Sequence, residues 1–125
     1  MILVFGGAYQ GKTEFVVSSL GYSVEDMFAC SDKTELSFGR PVINRFHEFV
    51  YGQVLSGKNP IAFVTSHLDS FRDKVVVIDD VCCGLVPMGK ENREYRECAG
   101  KIMQLLSRRA DSVYRVFCGI GERLK

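Results

Sequence analysis

The chain has 125 residues, 46% of them hydrophobic, and carries 16 Lys and Arg against 15 Asp and Glu, for a net charge of +1. That length supports one core, so a single domain over residues 1–125 is expected. The even charge balance gives no reason to expect nucleic acid or a membrane surface as a partner, and no apolar stretch reaches spanning length, so a cytoplasmic protein is expected.

Met1-Ile2-Leu3-Val4-Phe5 reads as a strand. It runs into Gly6-Gly7-Ala8-Tyr9-Gln10-Gly11-Lys12-Thr13, which fits the phosphate-binding pattern G-x-x-x-x-G-K-[ST]. A helix from Lys12 to about Leu20 follows, stopped by Gly21. Strand, loop and helix in that order are the context the pattern requires. Glycines let several backbone N–H groups converge on one anion, and the helix N-terminus adds partial positive charge there. Lys12 then neutralises the β- and γ-phosphates and Thr13 offers its hydroxyl to Mg²⁺. The expected ligands are GTP or ATP with Mg²⁺.

A short strand is expected near Asp26-Met27-Phe28-Ala29-Cys30, and a polar loop from Ser31 to Arg40. From Pro41 the apolar positions Ile43, Phe46, Phe49, Val50 and Val54 recur at helical spacing, which predicts one helix. Gly57-Lys58-Asn59-Pro60 ends it and starts another, with Asn59 as N-cap and Pro60 first. Ile61, Val64, Leu68 and Phe71 mark the apolar face of that second helix. Val75-Val76-Val77-Ile78 is a β-branched run without alternation, as in a central parallel strand buried on both faces. A loop through Cys82-Cys83, Gly84 and Pro87 leads to a helix from about Glu91 to Arg109, its apolar side made of Tyr95, Cys98, Ile102, Leu105 and Leu106. Ser112 to Cys118 is the last strand. Strands alternating with helices predict an α/β protein, a three-layer phosphate-loop NTPase-like fold with a small, mainly parallel sheet.

Asp79 and Asp80 end the apolar strand. An acid there faces the phosphates and supports the metal, but adjacent strand residues point to opposite faces, so one of the two serves and the other caps the turn. Five cysteines (Cys30, Cys82, Cys83, Cys98 and Cys118) without a C-x-x-C pair suit free thiols rather than a disulfide framework or zinc. His67 reads as an exposed histidine, and Glu91 and Arg93 as a solvated face.

Two segments together resemble a known family. The first is Met1 to Val4 running into Gly6-Gly7-Ala8 and Gly11-Lys12-Thr13. The second is Val75 to Val81, then Gly84-Leu85-Val86-Pro87, Arg96, Ala99-Gly100, Gln104, Ala110-Asp111, Val113-Tyr114 and Gly119. Both are similar to the adenosylcobinamide kinase/adenosylcobinamide-phosphate guanylyltransferase family. The resemblance implies a role in cobalamin biosynthesis: phosphorylation of adenosylcobinamide, then transfer of GMP through a guanylylated histidine. It implies adenosylcobinamide as a second ligand and leaves a homo-oligomer open. His47 lies 35 residues after Lys12, the family's distance for that histidine, but in Arg45-Phe46-His47-Glu48 rather than the family's local motif. A neutral imidazole can attack the α-phosphate of GTP. The middle of this chain is shorter than in full-length members and lacks a clear counterpart of their acidic strand-end residue. The candidate catalytic residues are therefore Lys12, Asp80 and His47, with Thr13 and Asp79 toward the metal, and guanylyl transfer is the step more exposed to loss. A non-catalytic nucleotide-binding regulatory subunit and a different small-molecule kinase or NTP hydrolase are the alternatives.

Overall fold

A computed structural model of the chain describes residues 1–33, 35–81 and 90–125, with side chains from Arg93 on in the last stretch. Cys82-Cys83 and the Gly84 to Pro87 segment lie outside the described residues, as does the side chain of Glu91.

The protein is α/β, and its described residues form six strands in one sheet. Strand β1 (Ile2–Gly6) is followed by helix α1 (Lys12–Leu20), a 3₁₀ turn at Val24–Asp26, β2 (Met27–Ala29), β3 (Val42–Asn44), α2 (Phe46–Leu55), α3 (Pro60–Ser66), β4 (Val75–Asp79), α4 (Lys90–Arg109), β5 (Ser112–Phe117) and β6 (Ile120–Arg123). The sheet order is β2-β3-β4-β1-β5-β6, and every pairing is parallel except β5 with β6. As the β-branched run predicts, β4 is central and buried from Val75 to Ile78.

Strand alternation sorts the core into two layers. Leu3, Ile43, Val76, Ile78 and Val113 point to one face, where α2, α3 and α4 cover them with Phe46, Phe49, Val50, Val64, Ala99, Ile102 and Leu106. Val4, Val42, Val75, Val77 and Val116 point to the other, against Phe15 and Val16 of α1. This is the expected three-layer arrangement. Tyr95, Cys98 and Leu105 of α4 pack onto the first layer, as its periodicity predicts. Gly21 ends α1 at φ 80°, and the Asn59 side chain accepts from the N–H groups of Ile61 and Ala62 ahead of Pro60. Among the described residues no helix is long and apolar enough to cross a membrane.

The structure corrects the sequence reading at three points. The expected helix from Pro41 is a strand followed by a helix: β3 ends at Asn44, Arg45 turns at φ 56°, and α2 starts at Phe46. Helix α3 stops at Ser66, so Leu68 and Phe71 belong to the turns after it, although Phe71 is buried at 1% exposure. The chain after β5 turns back as β6, because Cys118 and Gly119 both adopt positive φ (51° and 77°), the two-residue turn that joins antiparallel strands.

Candidate functional site

The site is assembled where β1, β3 and β4 end. Between β1 and α1, Tyr9 (φ 61°) and Gly11 (φ 89°) are left-handed two positions apart. Such a curl gathers successive N–H groups into an anion-binding concavity. The first bond of α1, from Phe15 N–H to the Gly11 carbonyl at 3.0 Å, places the helix N-terminus at the end of the loop.

Lys12 is 8% exposed, and its Nζ donates to the Gly7 carbonyl at 2.6 Å and pairs with Asp79 Oδ1 at 2.7 Å. Register explains the pair. Asp79 lies beside Gly6 across β1 and β4, and it follows Val75 and Val77 on the face that α1 covers. Asp80 points the other way and lines a different cavity with Gly100, Met103 and Gln104 of α4. The structure thus brings Lys12, Thr13 and Asp79 together and does not bring Asp80 to them.

His47 joins the same group. Fully buried Phe46 anchors the first turn of α2 by stacking on Phe49 at 5.5 Å and meeting Phe71 edge-on at 5.6 Å. The next residue is then held at the end of β4. His47 Nδ1 accepts from the Asp79 backbone N–H at 3.1 Å, and Nε2 lies 3.3 Å from Asp79 Oδ2. An Nδ1 that accepts is unprotonated, so a neutral ring carries its proton on Nε2, facing the carboxylate. Burial lowers the His47 pKa below the ordinary imidazole value, against the opposing pull of Asp79 and Glu48.

Three further residues complete the wall, and the sequence reading missed them because it placed them inside a helix. Asn44, at the end of β3, donates from Nδ2 to Thr13 Oγ1 at 3.3 Å. Its Oδ1 accepts from the Arg45 N–H at 2.9 Å, and Arg45 pairs with Glu48 at 3.1 Å. The signal available was the β-branched pair Val42-Ile43 just before a polar residue. Loop residues Ala8 to Thr13 with Glu14, Asn44, Arg45, His47, Glu48 and Asp79 line a cavity of about 420 Å³. Thr13 Oγ1 and the Asp79 carboxylate are hard oxygen donors, the chemistry Mg²⁺ prefers when phosphate and water complete its shell. His67, by contrast, stacks on Phe63 away from this group. Among the described cysteines all are free, and burial pushes the Cys30 thiol up to about 12.

The loop is also clasped from the far end of the chain. Gln10 Oε1 accepts from the Cys118 N–H at 2.7 Å, and the Gln10 carbonyl accepts from the Gly119 N–H at 2.7 Å. Gly121 lets β6 lie against the Phe15 ring of α1, which a Cβ there would strike. Replacing Gln10 by Ala removes one of the two bonds, an expected loss of about 1 kcal/mol. Hydrogen exchange at the Cys118 amide should speed up while the β1 amides keep their protection. Unchanged exchange at Cys118 would mean that the clasp does not form in solution.

A family profile described as cobinamide kinase / cobinamide phosphate guanyltransferase matches residues 48–124, more than half of the chain. The bifunctional adenosylcobalamin biosynthesis protein of Salmonella typhimurium is 39% identical over 51 residues, which are 41% of this chain and 28% of that protein. The matched stretch therefore spans well under half of the relative's length.

Proposed function

We propose, from the premise that the chain belongs to the cobinamide kinase / cobinamide phosphate guanyltransferase family, that it binds a nucleoside triphosphate in the loop Gly6 to Thr13 and transfers its γ-phosphoryl group to adenosylcobinamide. The observation that carries this reading is the Lys12–Asp79 pair, at 2.7 Å, at the floor of a cavity walled by that loop. Loop N–H groups and the N-terminus of α1 take the phosphates. Lys12, fixed by Gly7 and Asp79, sits where charge builds up on the β- and γ-phosphates during transfer. Thr13 and Asp79 would hold Mg²⁺, which when bound offsets phosphate charge. The strand-end acid of this reading is Asp79 rather than Asp80, because Asp79 shares a face with Lys12. Chemistry of this type asks mainly for positioning and electrostatics, which this small set of residues can supply.

Guanylyl transfer makes a further demand, an imidazole nitrogen with a free lone pair aimed at the α-phosphorus. Here the Nδ1 lone pair of His47 accepts the Asp79 N–H, and the Nε2 proton faces the Asp79 carboxylate. That arrangement supports a chain in which the kinase step is kept and histidine guanylylation is weak. Two assays on the purified protein test this. Adenosylcobinamide with ATP or GTP should yield cobinamide phosphate, and α-labelled GTP should leave little acid-labile label on the chain. Strong labelling that vanishes in His47→Ala would restore the second activity. Absence of product with either nucleotide would favour the regulatory-subunit alternative.

A further inference from the structure

We infer that Arg45 is a second phosphate-binding cation, one that contacts the γ-phosphate in the cavity it shares with Lys12; this rests on the nucleotide reading above. Four observations carry it. First, Arg45 is left-handed (φ 56°, ψ 43°), a conformation that costs a non-glycine residue and that tends to collect at ligand sites. Its neighbours impose it: Asn44 Oδ1 takes the Arg45 N–H at 2.9 Å, and the Arg45 carbonyl takes the Glu48 N–H at 2.9 Å. Second, Arg45 lines the same cavity as loop residues Ala8 to Thr13. Third, among the described residues lining that cavity, Lys12 and Arg45 are the lysine and arginine side chains, and so carry its permanent positive charge. Fourth, the residue before it, Asn44, touches Thr13 Oγ1. The hydroxyl at this motif position belongs beside the β- and γ-phosphates, so the end of β3 flanks the γ end of a bound triphosphate.

The guanidinium is poised rather than locked. Its partner is Glu48 at 3.1 Å, with Arg45 57% exposed, the class of ion pair that contributes little in water. A triphosphate presents more charge and suits a planar fork of donors. On binding, Arg45 leaves Glu48 and closes on the γ-phosphate, stabilising the charge that develops there, as an arginine supplied in cis does in other phosphoryl-transfer sites.

Calorimetric titration with Mg²⁺ complexes of ATP, ADP, GTP and GDP tests the inference on wild type, Arg45→Gly, Arg45→Lys and Lys12→Ala. Glycine accepts the left-handed turn, so Arg45→Gly removes the guanidinium without adding strain, and its melting temperature should hold. Triphosphate affinity should fall about 10- to 100-fold in Arg45→Gly, while diphosphate affinity changes less than about 3-fold, and Arg45→Lys should recover part of the loss. Equal losses for diphosphate and triphosphate, or no loss, would overturn the inference. If Lys12→Ala weakens binding and Arg45→Gly does not, the phosphate-loop reading stands and this one falls. If wild type binds none of the four nucleotides, both fall.

Discussion

Lys12→Ala should weaken nucleotide binding sharply while leaving a folded protein. Lys12 Nζ is bonded to the Gly7 carbonyl and to Asp79, so the ammonium is already placed and loses little freedom when phosphate arrives. Charge-assisted bonds to two phosphates are lost together, for an expected drop in affinity of about 100- to 1,000-fold. The cost to the fold is smaller, about 1 kcal/mol, because Asp79 is 22% exposed and water can replace the missing ammonium. In a thermal-shift measurement, nucleotide at 100 times its dissociation constant stabilises wild type by about 2.7 kcal/mol, a rise of several degrees for a domain of this size. At the same nucleotide concentration the variant should show little or no rise with ATP or GTP. An undiminished rise would place the nucleotide somewhere else.

Gly6→Ala should have the opposite signature, a failure of the fold rather than of binding alone. The motif suggests that its first glycine exists for the phosphate. In the structure, a Cβ at Gly6 would strike the Val116 carbonyl of β5, a backbone atom of a neighbouring central strand that cannot swing aside. Overpacking of this kind should cost at least about 2 kcal/mol. Gly7→Ala is the contrast, since the nearest atom to its added Cβ is the Gln10 Cγ at 3.6 Å, an ordinary contact. Denaturant unfolding of the two variants decides the matter. Equal stability would show that β1 and β5 can part without penalty and that the first glycine has no packing role.

What could be read from the sequence was whatever local physics fixes. The phosphate loop announces itself because its glycines, its lysine and its following helix are contiguous. Strand β4 shows as four β-branched residues, α4 as a long amphipathic stripe, and the start of α3 as Asn59-Pro60. What could not be read depended on the sheet. Ile43 and Phe46 both enter the layer under α2, so their spacing of three mimicked a helix although a strand end and the left-handed Arg45 lie between them. With β3 hidden, Asn44, Arg45 and Glu48 had no reason to meet the loop. Alternation showed that only one of Asp79 and Asp80 could face Lys12, but the choice needed the position of α1, which covers the face of Val75 and Val77. His47 sat at the family's distance from Lys12, yet its bond to the Asp79 N–H is a contact between α2 and β4 that spacing does not reveal.

The clasp between Gln10 and the turn at Cys118 and Gly119 has a consequence for how the molecule comes into being. Residues separated by 108 positions share a hydrogen bond at the phosphate loop. Strand β1 is central and pairs with β4 and β5, so it too must wait for partners made much later. On the ribosome, the motif emerges 108 residues ahead of Cys118 and lacks this clasp until the β5–β6 hairpin follows it. Contacts of such long range slow folding, and a nascent chain stalled before Cys118 would display the glycine-rich loop without its support. Nucleotide should therefore favour chains in which the β5–β6 hairpin has been made over those stalled before it.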